Sequence, residues 1–535
     1  MAFLAASTAS TPGRTVTRNV LAMVTARGVV AAAGLVTLPF AYTHLGADAF
    51  GVWAVLNGVV AVVALADLGL PSVIIREVAA TADPTPGLDD PASSDRAHRT
   101  RLALGVGLVW GVGLALTAAG TIALLWPWLS TLLRFGSNTR AARTSAMWLL
   151  TGLLMDGISL PWRGVLEGTQ RLDLVARITG CTAILGASSV VAVLWAGGGL
   201  VALAMSVAAI SVLRGAAMIV TARRHRPALS PTLSGASRDE IRALVGFGMR
   251  VQVTSASGAV NVELDRFILA GFFTPAIAGG FDLGSRVVAL FRLVAVYVLV
   301  ALFPMAVTRS AALGREWLDD FNVRATKYLT AFATVAASLL VASADPIVRL
   351  WLGEGNRWAS SCIIILAPAY ALNLAAGTTG ILSRVEGRPG RETRYALLSS
   401  LLNLVLTWPL LRLLGPRGVP LATAVGIAVG TAYFLISYHR ATDRDVRPLI
   451  RAIWPSAFAA AVSIGAAMVV GSHLPGWHGR VGAAVAIVAR SALVIATSAL
   501  AYVATGFLRA GDGARLREFF ADRSAAAMAP TEARA

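Results

Sequence analysis

One lysine, Lys327, stands in a chain of 535 residues, and the residue before it is Thr326. No Gly-Lys-Ser/Thr therefore exists anywhere, which excludes a Walker-type phosphate loop and an ATPase motor built on one. Histidine is scarce too. The six histidines form no His-Glu-x-x-His spacing, and the closest pair, His473 and His478, has no further ligand nearby in sequence, so no zinc site is expected. The only cysteines, Cys181 and Cys362, fall in or beside apolar stretches. They read as small apolar side chains rather than as a disulfide or metal ligands.

The larger shortage is of charge. Charged residues make up 14% of the chain, where a soluble globular protein carries about 25%. Hydrophobic residues make up 56% and the mean hydropathy is +0.70. A surface for so apolar a chain is wetted by lipid, not water. Acid is scarcer than base: 28 Asp and Glu against 46 Lys and Arg, a net charge of +18. Such a balance often marks nucleic-acid binding. Here the arginines form no single basic face or tail. They sit in short clusters between apolar runs, as in a bacterial inner-membrane protein, and nucleic acid is not an expected partner.

What the chain does have is long apolar runs. A spanning helix takes about 20 such residues. Fourteen spans are expected: 20–42, 50–72, 102–126, 145–162, 178–196, 199–221, 244–270, 277–308, 326–344, 360–382, 395–411, 418–438, 452–471 and 481–508. The first exceeds a signal-peptide core and has no Ala-x-Ala site at its end, so it reads as a retained span. Counting Lys327 at the edge of its span, 31 Lys and Arg fall in the N-terminus, the even loops and the C-terminal tail. The odd loops hold 8, and seven arginines lie inside spans. The bias predicts cytoplasmic N- and C-termini for a multi-pass protein of the bacterial inner membrane. The outer loops are short, the longest near 127–144, which leaves no room for an outer catalytic domain. Asp83–Pro91 reads as a disordered linker. Leu516–Phe520 reads either as a short amphipathic surface helix or as a frayed terminus.

Two internal echoes, six spans apart, suggest duplication. Leu38-Pro39, then His44-Leu45-Gly46 and Gly51, is echoed by Arg266-Phe267-Ile268-Leu269, Pro275 and Gly279-Gly280. Gly164-Val165-Leu166-Glu167-Gly168 is echoed by Gly380-Ile381-Leu382 with Glu386-Gly387. The expected organisation is a cytoplasmic tail (1–19), a six-helix bundle (20–221), a cytoplasmic linker (222–243), a second six-helix bundle (244–438), two additional spans (439–508) and a tail (509–535). Many transporters are built as two such halves around a shared cavity.

Charge at bilayer depth costs at least about 2.5–3.5 kcal/mol per group, so each such group asks for a partner or a cavity. Five acids lie inside spans: Asp67, Asp156, Glu263, Asp265 and Asp282. The seven arginines are Arg27, Arg214, Arg250, Arg266, Arg286, Arg292 and Arg490. Arg27 and Arg250 stand near the start of the first span of each half. A cationic cavity of Arg27, Arg250, Arg286 and Arg292 suits an anionic ligand, because the guanidinium fork matches phosphate bidentately. Against this, single arginines can snorkel to the interface or pair locally. Arg286 and Asp282 are four apart and can pair on one helix face. Arg286 and Arg292 are six apart and do not share a face squarely. Asp265 and Glu263 could couple transport to a Na+ or H+ gradient, or could simply pair with a nearby arginine such as Arg266. Asp67 could cap the turn at Leu68-Gly69-Leu70-Pro71.

Four stretches carry a resemblance. They are Arg27-Gly28, Leu38-Pro39, Leu45-Gly46, Phe50-Gly51-Val52-Trp53 and Asp67-Leu68-Gly69-Leu70; Gly164 to Arg171; Asp265-Arg266-Phe267-Ile268-Leu269-Ala270; and Leu350-Trp351-Leu352-Gly353-Glu354. In order and spacing the chain resembles the polysaccharide exporter (Wzx-type) branch of the MOP flippase superfamily. The resemblance implies an all-α polytopic fold, two six-helix bundles around a central cavity plus two C-terminal helices, and no enzyme activity. It implies flipping of a polyprenyl-diphosphate-linked oligosaccharide to the outer leaflet by alternating access, for cell-surface polysaccharide biosynthesis. Lipid-linked oligosaccharide and membrane lipids are the implied partners, with a glycan polymerase or other assembly proteins beside them. It matches Arg27, Arg250, Arg286 and Arg292 to the basic cavity, and Asp265-Arg266 to the span-seven pair. The competing readings are a drug exporter of the same superfamily, which would want more acid in its cavity, and a membrane polymerase or ligase, which would want a large outer loop.

Overall fold

The computed structural model describes residues 12–67, 69–82, 91–227, 229–388, 390–473 and 479–507. The linker expected at Asp83–Pro91, apart from Pro91, and the tail helix expected at Leu516–Phe520 lie outside them. Among the described residues every regular element is helical. In chain order they are α1 (Pro12–Ala64), α2 (Leu70–Ala82), α3 (Pro91–Leu132), α4 (Thr139–Gly168), α5 (Leu172–Trp195), α6 (Leu200–His225), α7 (Arg238–Phe272) and α8 (Pro275–Ala342). Then come α9 (Ala344–Leu352), α10 (Arg357–Ala375), α11 (Gly377–Val385), α12 (Gly390–Leu414), α13 (Gly418–Ala441), α14 (Arg447–His473) and α15 (Gly479–Ala504).

Among the described residues, ten helical stretches are long and apolar enough to cross a membrane. Several of them exceed a single span and are broken inside. Thr25–Ala64 breaks at Gly46, whose φ of +77° lies where glycine alone escapes a Cβ clash. Gly390–Ala441 turns through a short 3-10 helix at Gly415–Arg417. α4 and α7, which the fourteen-span expectation also includes, are not among the ten. Outward side chains are apolar: Leu124, Trp195 and Val481 are each more than three-quarters exposed, a surface suited to lipid. The fold is thus that of an all-α polytopic membrane protein.

Span boundaries moved in two places. The second expected span runs to residue 72, but α1 stops at Ala64 and α2 restarts at Leu70. The Asp67 carboxylate accepts the Gly69 N–H at 2.9 Å, and the Leu70 N–H donates to the Asp67 carbonyl at 3.1 Å. This local bonding competes with continued helix. The loop expected between residues 308 and 326 is instead helical, broken only at Gly314 (φ +77°).

The chain forms two compact units. The first comprises Met1–Leu290, Trp351–Cys362 and Thr393–Gly430. Its core gathers Leu70 and Ile74 of α2, Leu102 and Leu104 of α3, Trp162 and Leu166 of α4, and Met218 of α6. Gly111 of α3 and Gly157 of α4 meet backbone to backbone. A Cβ on either would come within 2.7 Å of the other's carbonyl oxygen. The two copies of the first sequence echo also touch here: a Cβ on Gly279 would fall 2.9 Å from the Gly51 Cα. α7 begins with a capping box, in which Ser237 Oγ accepts the Glu240 N–H at 3.1 Å and the Glu240 carboxylate accepts the Ser237 N–H at 2.9 Å.

The second unit comprises Phe291–Leu350, Ile363–Glu392 and Thr431–Ala535. Tyr502 and Phe507, at and beyond the end of α15, pack with Ala459 of α14 against Ala331 and Val335 of α8. At one end Arg444 is buried between two acids from distant segments, Asp319 (2.6 Å) and Glu386 (2.7 Å). The Tyr438 hydroxyl donates to the other oxygen of Glu386 at 2.6 Å. These contacts clasp α8, the α11–α12 connection and the segment after α13.

Candidate functional site

α7 and α8 of the first unit bring opposite charges together inside apolar helices. Glu263 and Arg266 are three apart on α7, one turn along the same face, and pair at 2.5 Å. Arg266 reaches Asp282 of α8 at 2.5 Å, and Asp282 pairs with Arg286, four residues on, at 2.8 Å. The result is a chain of alternating sign, Glu263–Arg266–Asp282–Arg286. Its middle is sealed: Arg266 is 7% exposed and Asp282 1%. Its end is open, with the Arg286 side chain 43% exposed. The Arg286 Nε–H donates to Asp282 at 2.8 Å, which leaves the two terminal nitrogens of its fork outside that bond. Gly58 of α1 makes room for the Glu263 carboxylate. A Cβ there would stand 2.9 Å from its oxygen.

Asp265 does not join its neighbour Arg266 in this chain. It is buried, 1% exposed, and points to α12 and α13. The Thr423 hydroxyl donates to one carboxylate oxygen at 2.5 Å and the Asn403 amide to the other at 3.4 Å. Thr407 donates to the Asn403 amide oxygen at 3.1 Å, and Thr423 lies 3.3 Å from the same atom. Asp265, Asn403, Thr407 and Thr423 therefore form a dry oxygen-rich knot with one formal charge. Such a set can hold a proton, or a hard monovalent cation through oxygen ligands. Among the described residues no group of three or more His, Cys, Asp and Glu is placed to hold a metal ion.

The four expected cavity arginines are distributed differently. Arg286 ends the ion chain. Arg27 stands exposed on α1. The Arg250 side chain lies outside the described residues. Arg292 belongs to the second unit, where its guanidinium sits 4.9 Å above the Tyr370 ring. Asn403, Thr407 and Thr423 were not singled out in the sequence. The available signal was an Asn with a Thr four residues on inside the short span 395–411.

Long apolar helices, an ion chain within them and a secluded carboxylate define a polytopic α-helical membrane protein. That fold is shared with the lipid II flippase MurJ in an inward closed conformation, at TM-score 0.66 and 14% identity, covering 90% of this chain and 98% of that one. It is also shared with an inward-facing multidrug resistance MATE family transporter of the MOP superfamily, at TM-score 0.60 and 16% identity, covering 76% and 94%. The family model described as polysaccharide biosynthesis protein matches residues 16–308, and the chain belongs to that family. A curated relative, the probable low-salt glycan biosynthesis flippase Agl15 of Haloferax volcanii, is 24% identical over 275 residues. The match takes in 50% of this chain and spans about half, 55%, of that protein. These relatives are flippases and transporters, not enzymes, and the resemblance read from the sequence motifs is borne out at the level of superfamily.

Proposed function

We propose that the protein flips a polyprenyl-diphosphate-linked oligosaccharide from the inner to the outer leaflet of the plasma membrane by alternating access, for cell-surface polysaccharide biosynthesis. The observation that carries this reading is the ion chain ending at the exposed Arg286 within apolar helices of a polysaccharide-biosynthesis family member. Burying such charge is costly, and a static scaffold has no need of it. Arg286, with Arg27 and Arg250 of the same unit, supplies guanidinium forks for a diphosphate. Asp265 in its oxygen knot is the coupling group for a Na+ or H+ gradient, and Glu263, Arg266 and Asp282 hold the lever that connects α7 to α8. The protein sits in the bacterial inner membrane with both termini in the cytoplasm, where lipid-linked glycan is made, and hands its product to a glycan polymerase or other assembly protein.

The test is the sidedness of lipid-linked glycan in cells lacking the protein, probed with a membrane-impermeant lectin or enzyme on spheroplasts and inverted vesicles. Short lipid-linked units confined to the cytoplasmic face are expected. Units that reach the outer leaflet unpolymerised would replace this reading with a polymerase or ligase. Unchanged glycan would turn it to small-molecule export.

A further inference from the structure

The first unit holds two adjoining cavities that the ion chain does not touch. One is a slot of about 320 Å³ between α1, α5 and α6. Its α5 wall is Thr179, Thr182, Ala183, Gly186, Ala187 and Val190. Those residues fall at offsets of 3, 4, 7, 8 and 11 from Thr179, a single helical face. At 1.5 Å per residue the wall is about 16 Å long. Small side chains leave the slot open along that length. The α6 wall ends at Arg214, level with Thr179. The second cavity, about 450 Å³, begins where the first stops, since Thr179 and Arg214 line both. It is the polar one, with Asp156, Arg163 and Glu167 of α4 along its side. An apolar slot thus opens through one arginine into a charged chamber.

Arg214 is held by exchangeable contacts. Its Nη2 donates to both oxygens of Asp156, at 2.8 and 3.0 Å, and to the Ser211 hydroxyl at 3.2 Å. Both side chains remain accessible, 35% and 42% exposed. An ion pair open to this extent can exchange its partners. A phosphate can take the place of Asp156 on the guanidinium with equal or better geometry. Arg27 lies three residues before Val30 and seven before Gly34, both slot residues, so it stands on the same face of α1 at the same end. Arg163 is already paired with Glu167 at 2.7 Å, so Arg214 is the lining guanidinium left for an anion once Asp156 is displaced.

Resting on the flippase reading and extending it, we propose that this slot binds the chain of an anionic polyprenyl lipid, with its phosphate on Arg214 in exchange for Asp156. The shape fits an amphiphile: an open slot lined mainly by small and apolar side chains for the chain and a larger polar chamber for the head. The phosphate is selected by the guanidinium fork of Arg214 and not by net charge, since Asp67, Asp156 and Glu167 line the same chamber. The exchange makes a signed prediction. Arg214 attracts the phosphate and Asp156 competes with it, so the two substitutions act in opposite directions, whereas an ion pair that merely held α4 to α6 would be weakened by both.

The experiment uses the full chain in nanodiscs of phosphatidylethanolamine and phosphatidylglycerol with a polyprenyl monophosphate as probe. A photoreactive amino acid is placed at Ala183 or Ala187 in the slot, and at Ile184 or Leu185, which face outward from α5, 56% and 50% exposed, as controls. Adducts are identified by mass. Polyprenyl phosphate adducts should be about tenfold richer at the slot positions. Arg214→Gln should cut them about tenfold, Arg214→Lys should retain most of them, and Asp156→Asn should raise them. Phospholipid adducts alone, or equal yields in Arg214→Gln and Asp156→Asn, would overturn the proposal. Flipping of lipid-linked glycan by the same protein in proteoliposomes is read separately. Flipping without slot adducts overturns the slot and leaves the flippase reading standing; slot adducts without flipping support the slot and remove the flippase reading.

Discussion

Asp265 and Arg266 are neighbours in the chain, yet they face different partners. Arg266 closes an ion chain between α7 and α8, while Asp265 is bonded by Thr423 and Asn403 of α13 and α12. Successive residues on a helix point about 100° apart, so one turn of α7 serves both sets. Movement of α7 is therefore felt at once by the carboxylate and by the guanidinium. Each can be tested alone.

Arg266→Ala removes the shared partner of two acids and leaves Asp282 buried beside an empty space. Breaking a buried ion pair from one side costs about 3–5 kcal/mol. Abundance should fall and the melting temperature in detergent should drop. Arg286→Ala and Arg27→Ala remove exposed groups, so both variants should accumulate normally while export is lost. Normal export at normal abundance in both would remove these arginines from the transport site.

Asp265→Asn keeps the volume and one acceptor oxygen for Thr423 or Asn403 while deleting the charge; its amide nitrogen replaces the other oxygen, so one of the two bonds is lost or reversed. Flipping in proteoliposomes should then stop responding to an imposed Na+ or H+ gradient. Thr423→Val, which removes the hydroxyl 2.5 Å from the carboxylate, should blunt the same response. A gradient response equal to wild type in Asp265→Asn would place coupling elsewhere.

The clasp around Arg444 should be pH-sensitive through Glu386. Burial pushes the Glu386 carboxyl up, but the Tyr438 hydroxyl and Arg444 bond its charged form and together leave it below the ordinary glutamate value. A lowered carboxyl stabilises the fold above the unfolded value, about 4.3, and loses that contribution as pH falls through the folded one. The melting temperature of Glu386→Gln should therefore lie below wild type at pH 7, and the two should converge in acid. A gap that persists or widens in acid would contradict this assignment.

Gly111→Val should be severely damaging. Its Cβ would lie 2.7 Å from the Gly157 carbonyl oxygen, which is backbone and cannot turn aside. The α3–α4 seam would have to part, and folded protein should be scarce by size-exclusion chromatography. Gly113→Val, two residues on with nothing within 4 Å of its Cβ, is the control.

Local features were legible in the sequence and remote ones were not. The apolar runs landed on helix because length and composition decide that without reference to partners. Spacing alone brought Asp282 to Arg286, four residues apart. The turn at Asp67 was visible in Gly69 and Pro71, although the span was drawn through it. By contrast, Asp156 meets Arg214 across 58 residues and Asp265 meets Thr423 across 158. Periodicity records which face a residue is on, not which helix comes to meet it. Arg444 shows the same limit: it reads as one more basic residue between spans, yet it is buried between two acids.

The turn at Gly415–Arg417 bears on the order in which the protein is made. It sets α12 and α13 side by side as a hairpin, bringing Asn403 and Thr423 together only 20 residues apart, so that half of the knot closes as soon as the hairpin is synthesised. Asp265 left the ribosome 138 residues before Asn403. Throughout that interval its carboxylate waits in the bilayer without the groups that will satisfy it, a costly exposure for a charge at that depth. Until α13 is made, α7 thus carries a carboxylate that lacks the Thr423 and Asn403 bonds of the finished fold.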